Sequence, residues 1–143
     1  MSKVCSIPET YRDLVEGRTY AVLATVMPDG QPQSTVVWCD IVGDCVLINT
    51  MRGFRKEKKM RANPRVTLLA YEQRNPPRSL EVRGPVVEMT EAGALEHLDE
   101  LTRQYTRHDH YYGGIFPVER QTQETRIICR IKPRKITLDA IHK

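Results

Sequence analysis

"CVLINTMRGFRKEKKMRANPRVTLLAYE", residues 45–72, decides how this chain is built. "CVLINT" (45–50) and "RVTLLAYE" (65–72) are short apolar runs carrying β-branched residues, the pattern of strands. The segment between them differs in character. From Gly53 to Ala62 it holds helix formers and no breaker, and Asn63-Pro64 stops it, because the residue before a proline disfavours the helical conformation. A strand, a short helix and a second strand are therefore expected. The helix is unusually basic: residues 50–65 hold seven Lys or Arg and a single acid, Glu57.

Upstream, "TYAVLATV" (19–26), the turn "MPDGQP" (27–32) with Asp29-Gly30, and "QSTVVWCDI" (33–41) read as a hairpin. Gly43-Asp44 then turns the chain into 45–50, so the three strands are expected to form an antiparallel meander. Before them, Tyr11, Leu14 and Val15 recur at helical spacing, and Gly17 can end a short helix. Downstream, "QRNPPR" (73–78) reads as a loop and "SLEVRGPVVEMT" (79–90) as a strand with a bulge or edge at Gly84-Pro85. Thr90 is placed to cap a helix whose stripe is Ala94, Leu95, Leu98, Leu101 and Tyr105. After the loop "TRHDHYYGGIFPVE" (106–119), "TRIICRIKPRKITLDAI" (125–141) reads as a closing strand bent at Pro133. Six antiparallel strands with two or three short helices predict a mainly β single domain over residues 1–143, closed or partly closed into a barrel. A two-layer sheet with helices on one face is the alternative.

The charge is local rather than global. The chain carries 22 bases against 18 acids, a net charge of +4, unlike a protein that coats nucleic acid. With 40% hydrophobic residues, 6% aromatic residues and no apolar run long enough to cross a bilayer, it reads as a soluble protein. "MSKVCSIPET" lacks the apolar core of a secretion signal, so a cytoplasmic location is expected. Cys5, Cys39, Cys45 and Cys129 fit that compartment as free thiols, with Cys39 and Cys129 in strand-like runs and so in the core. At 143 residues the chain is too small to enclose a large cofactor alone, which makes a partner subunit part of the expectation.

Several chemistries are excluded by absence. There is no phosphate loop of the G-x-x-x-x-G-K-[ST] type, no G-x-G-x-x-G, no H-E-x-x-H and no G-x-S-x-G. His108-Asp109-His110 has no third ligand at a fixed spacing, so no metal site is expected; His97 reads as lying on the polar side of its helix and His142 as a tail residue. The basic helix is more informative because it starts directly after a strand, presenting free N–H groups and the positive end of its dipole. Arg52, Arg55 and Lys56 surround that end, and Thr50 adds a hydroxyl, a combination suited to a phosphate. For Lys58, Lys59 and Arg61, farther along, a merely solvated face is an equal reading. A non-enzymatic nucleic-acid binder using this helix is the competing class, disfavoured by few interleaved aromatics and the modest net charge.

"LINTMRGFRKEKKMRANPRVTLL" resembles the strand–Thr–x4–Arg–Lys–helix–Asn-Pro-Arg-Val segment of the pyridoxamine 5'-phosphate oxidase-like split-barrel flavoproteins, including the class that uses deazaflavin F420. "AVLATVMPDGQPQSTVVWCD" looks like the family's opening hairpin, "LEVRGPVVEMTEAGALEHLDELTRQYT" like its strand, Gly bulge and helix, and "TRIICRIKPRKI" like its last strand. The resemblance runs from about residue 8 to 138. It implies a six-stranded antiparallel split β-barrel forming a homodimer, with cofactor sites at the subunit interface. By position, Thr50, Arg55 and Lys56 would hold the cofactor phosphate, and Ser34, Thr35 and Val36, on a strand expected beside it, would run along the ring and fix its polar edge. Where many relatives have Ser before the Arg-Lys pair, this chain has Phe54.

FMN ends in one phosphate, whereas F420 continues through a phosphodiester, a lactate and a glutamate tail. The additional bases Arg52, Lys58, Lys59 and Arg61 suit the longer anion, and "YYGGIF" with its upstream "YTR" resembles the F420 class, so F420 is the expected cofactor and FMN the alternative. Pyridoxamine phosphate oxidation is not expected, since "KITLDAIHK" lacks the Arg-containing substrate motif of those oxidases. Hydride transfer between F420 and a small organic substrate is the implied reaction, with no side chain marked as its acid or base; a barrel that only carries a flavin is not separable from the enzyme at this level. His110, Tyr111 and Tyr112 are candidates for substrate contact, against an equal chance of packing at a dimer interface.

Overall fold

The computed structural model describes residues 5–140, so His142 lies outside the described residues. A short 3-10 helix (Glu9–Val15) leads into β1 (Ala21–Val26), β2 (Pro32–Val37), β3 (Cys39–Val42) and β4 (Cys45–Met51). Helix α1 (Arg55–Ala62), β5 (Arg65–Glu72), β6 (Asn75–Thr90), α2 (Ala94–Tyr105), a 3-10 turn (Val118–Thr122), β7 (Arg126–Ile131) and β8 (Lys135–Leu138) follow. The expected strand–helix–strand unit over 45–72 is present, with α1 stopped at Asn63 as the following proline requires.

All pairings among the described strands are antiparallel, in the order β2-β1-β5-β6-β7-β4-β3, with β8 on β6. The two ends of this path, β2 and β3, are consecutive in sequence and joined through Trp38 alone. The sheet therefore curls back on itself and leaves a split between its two edges. Strand β6 spans both halves: its first part pairs with β5 and β8, its last part with β7, and the ladder shifts register between Val86 and Glu88. Gly84 sits just before that crossing, where a Cβ would lie 2.0 Å from the Lys132 carbonyl oxygen. Only a residue without a side chain fits there.

The fold is thus mainly β, as expected, with four local corrections. The expected loop 73–78 is only a tight turn, because β6 already starts at Asn75 and pairs back on β5. Six strands become eight because the runs 33–41 and 125–141 each break, at Trp38 and at Lys132–Arg134 around Pro133. The meander also fails: β2 pairs with β1 and β3 with β4, at opposite ends of the path, so Ser34, Thr35 and Val36 are not on a strand paired beside Thr50. Finally, Thr90 ends β6 rather than capping α2, whose N-cap is Gly93 at φ 76° with no side-chain cap. The core fills the curl with Leu23, Val46, Ile48, Leu68, Val82 and Ile127, roofed by Leu14 and Val15. Cys39 and Cys129 lie within it as free thiols, and burial pushes both up to about 12, out of reactive range.

Candidate functional site

The split in the barrel opens into a cleft of ≈ 200 Å³ between the β2 edge, β4, β7, α1 and α2. Its floor is apolar, from Val36, Val37, Leu98 and Leu101, and its polar wall is Asn49, Lys56 and Arg126. Trp38 and Tyr111 close one side. Trp38 is held there by stacking on Tyr105, 5.3 Å between centroids and 10° between planes, and the Tyr105 hydroxyl accepts from the Cys39 N–H at 3.1 Å. The ring wall is therefore fixed at the point where β2 gives way to β3.

Strand β2 brings its backbone as well as its side chains. The Met27 N–H donates to the Gln31 carbonyl at 2.8 Å, so moving one pair inward makes Val26↔Pro32 a pair without mutual hydrogen bonds, as proline's missing N–H requires. Alternation then directs the N–H and C=O groups of Ser34 and Val36 away from β1, to the open edge. That edge runs toward the cleft, which Val36 lines.

Lys56 is the cation of the cleft. Burial lowers its pKa first and the neighbouring Arg126 adds to the effect, so two positive groups face one small space from α1 and β7. Arg126 donates from Nε to the Asn49 side-chain oxygen at 2.9 Å and lies over the Tyr111 ring at 5.3 Å. The helix start beside it is uncapped: Phe54 occupies the N-cap without a side-chain bond, and the first recorded bond of the helix runs from the Lys58 N–H to the Phe54 carbonyl. Free N–H groups at a helix start and two cations suit an anion. Thr50 does not join that fit: its buried Oγ1 has no hydrogen-bond partner among the described residues, but alternation turns it to the core face with Val46 and Ile48, opposite Asn49.

The sequence-predicted residues separate into groups. Val36 and Lys56 line the cleft, whereas Arg55 and Lys59 line a second groove of ≈ 640 Å³, with Lys58, under the 27–30 turn. Ser34, Thr35 and Thr50 line neither. Lys59 also donates to the Gln33 side chain on β2, anchoring α1 to that strand. The remaining bases are partly neutralised: buried Glu57 accepts from Arg61 at 2.9 Å and faces Arg52 at 4.0 Å, and Arg52 also meets Glu91 at 3.4 Å. Of the three substrate candidates only Tyr111 reaches the cleft. His110 pairs outward with Asp99 at 3.2 Å, and Tyr112 is buried, donating to Glu124 at 2.6 Å.

Asn49, Trp38 and Arg126 are site residues that the sequence reading missed. A polar Asn within "CVLINT" and an Arg at the head of "RIICRI" were the available signals, because alternation puts each on the face away from the apolar core residues. No group of three or more His, Cys, Asp or Glu among the described residues is placed to hold a metal. No described helix is long and apolar enough to cross a membrane.

Comparison with known proteins agrees with this architecture. A solved structure named F420 reductase superimposes with a TM-score of 0.76 at 29% identity, covering 92% of this chain and 98% of that one. A conserved hypothetical protein of Mycobacterium tuberculosis gives 0.68 at 23% identity over 95% of this chain and 86% of its own. A protein of Listeria innocua described as a pyridoxamine 5'-phosphate oxidase gives 0.62 at 20% identity over 85% and 88%. No curated protein sequence matches. The family model for pyridoxamine 5'-phosphate oxidase matches residues 7–138, nearly the whole of the chain. With its split barrel, the chain belongs to the pyridoxamine 5'-phosphate oxidase family.

Proposed function

We propose that this protein is an F420-dependent oxidoreductase, a cytoplasmic homodimer that holds its cofactor at the subunit interface and reduces or oxidises a small organic substrate. The observation that carries the reading is the half-buried Lys56 beside Arg126 in a cleft edged by open β2 backbone, with a second, basic groove lined by Arg55, Lys58 and Lys59 of the same helix. The 29% identity to a protein named F420 reductase supports the same choice. When bound, the deazaflavin supplies the hydride that passes to or from an electron-poor double bond.

The chain's own contribution is binding and orientation. Lys56 and Arg126 neutralise the anion, the helix start donates to it, and the Ser34 and Val36 backbone offers one donor and one acceptor each to a planar polar edge. Trp38 and Tyr111 add an aromatic wall to that face. Arg55, Lys58 and Lys59 give a charged tail a path along α1. The outer row of exposed Val36, half-buried Val22 and exposed Leu69 crosses β2, β1 and β5 and is the surface assigned to the second subunit.

One observation favours a second reading. Arg52 and Arg61 are engaged by Glu57, which leaves fewer bases for a long tail and suits FMN, bound by an oxidase, a reductase or a carrier. The same pairing weakens the case for a nucleic-acid surface. Turnover of reduced F420 with a panel of electron-poor acceptors tests the enzyme; binding without turnover on any acceptor makes the protein a carrier.

A further inference from the structure

Buried Asp40 and His97 and half-buried Asn49 form a chain that ends on a cleft residue. His97, 6% exposed on α2, meets Asp40 on β3 through Nε2 at 2.9 Å and Asn49 on β4 through Nδ1 at 3.1 Å. The Asn49 amide nitrogen also donates to the Ala94 carbonyl at 2.8 Å, while its oxygen accepts from Arg126 Nε at 2.9 Å. These partners leave one arrangement of hydrogens. Ala94 O accepts only and Arg126 donates only, so the amide cannot be turned over, and its second N–H points at His97 Nδ1. Nδ1 must accept, Nε2 carries the proton, and Asp40 receives it. The sequence placed His97 on the polar side of its helix; the structure buries it.

We infer that His97 is a positioning residue: held by Asp40, it locks the Asn49 amide and thereby aims Arg126 across the cleft beside Lys56. The effect on ligand binding rests on the functional reading above, whereas the hydrogen arrangement does not.

Long-range proton–nitrogen spectra of the native protein at neutral pH test the chain directly. The neutral Nε2–H tautomer of His97, with a slowly exchanging Arg126 Nε–H signal, is expected. An Nδ1–H tautomer or a doubly protonated ring overturns the inference. In His97→Leu the Arg126 signal should broaden or vanish while the remaining amide spectrum persists, and His97→Asn, which keeps an acceptor for Asn49, should restore it; an unchanged Arg126 signal in folded His97→Leu also overturns it. Should His97→Leu not fold, the native tautomer decides alone. Titrated with F420 and with FMN, His97→Leu should bind about tenfold more weakly than native and His97→Asn within about threefold of native. If native protein binds neither cofactor, the functional reading fails while the spectra still judge the chain.

Discussion

Lys56 is the residue on which stability and binding oppose each other. Burial and Arg126 lower its pKa, so at neutral pH the folded chain carries a charge it holds less firmly than the unfolded chain does. Stability limited in this way is recovered as pH rises from the lowered folded value toward the ordinary lysine value. Lys56→Met should therefore melt higher than the native cofactor-free protein at neutral pH, the difference narrowing in alkali, as calorimetry over a pH series would record. The same variant should lose ten- to a hundredfold in cofactor affinity, roughly the worth of one charge-assisted hydrogen bond. Lys59→Ala should cost far less, because Lys59 lines the second groove rather than the cleft and gives one of its donors to Gln33; equal losses would make the patch a diffuse positive surface. Thr50→Val removes a buried hydroxyl that has no hydrogen-bond partner among the described residues, and should stabilise the cofactor-free protein by about 1 kcal/mol in urea titration.

The strand–helix–strand unit over 45–72 was legible because apolar alternation, helix formers and a proline stop agree over a short span. Trp38 shows where such reading ends: nothing in "QSTVVWCDI" marks the residue at which one extended run leaves the β1 ladder and enters that of β4. Strand alternation records faces, not partners, so the split of the barrel was hidden while its strands were visible. Pro133 was a clearer sign, because it interrupts the ladder. His97 was misread by residue type, although its place three after Ala94 and four before Leu101 puts it on the buried face. The cleft residues Asn49 and Arg126 come from strands far apart in sequence, and only the β4·β7 pairing brings them together. Gly84 carries the matching prediction for an element: Gly84→Ala drives a Cβ into the Lys132 carbonyl and should cost about 2–3 kcal/mol in urea unfolding.

For the whole molecule, the account needs a second subunit. One chain leaves Val36 at 67% exposure, with Leu69 and Tyr71 also open, on the outer face of β2, β1 and β5, and its cleft of ≈ 200 Å³ is small for a flavin-sized group. Sedimentation equilibrium should give a dimer, and Leu69→Asp, at a residue that lines neither the cleft nor the basic groove, should weaken it at least tenfold, about 1.4 kcal/mol, with a parallel loss of cofactor binding. A monomer that still binds cofactor at native strength would remove the shared site. Above all, which flavin the two basic openings hold is open to direct measurement. Equilibrium titration of the purified, cofactor-free protein with F420 and with FMN, side by side, addresses it most directly: the account predicts that F420 binds at micromolar or tighter concentration and more tightly than FMN, and micromolar binding of FMN with none of F420 would contradict it.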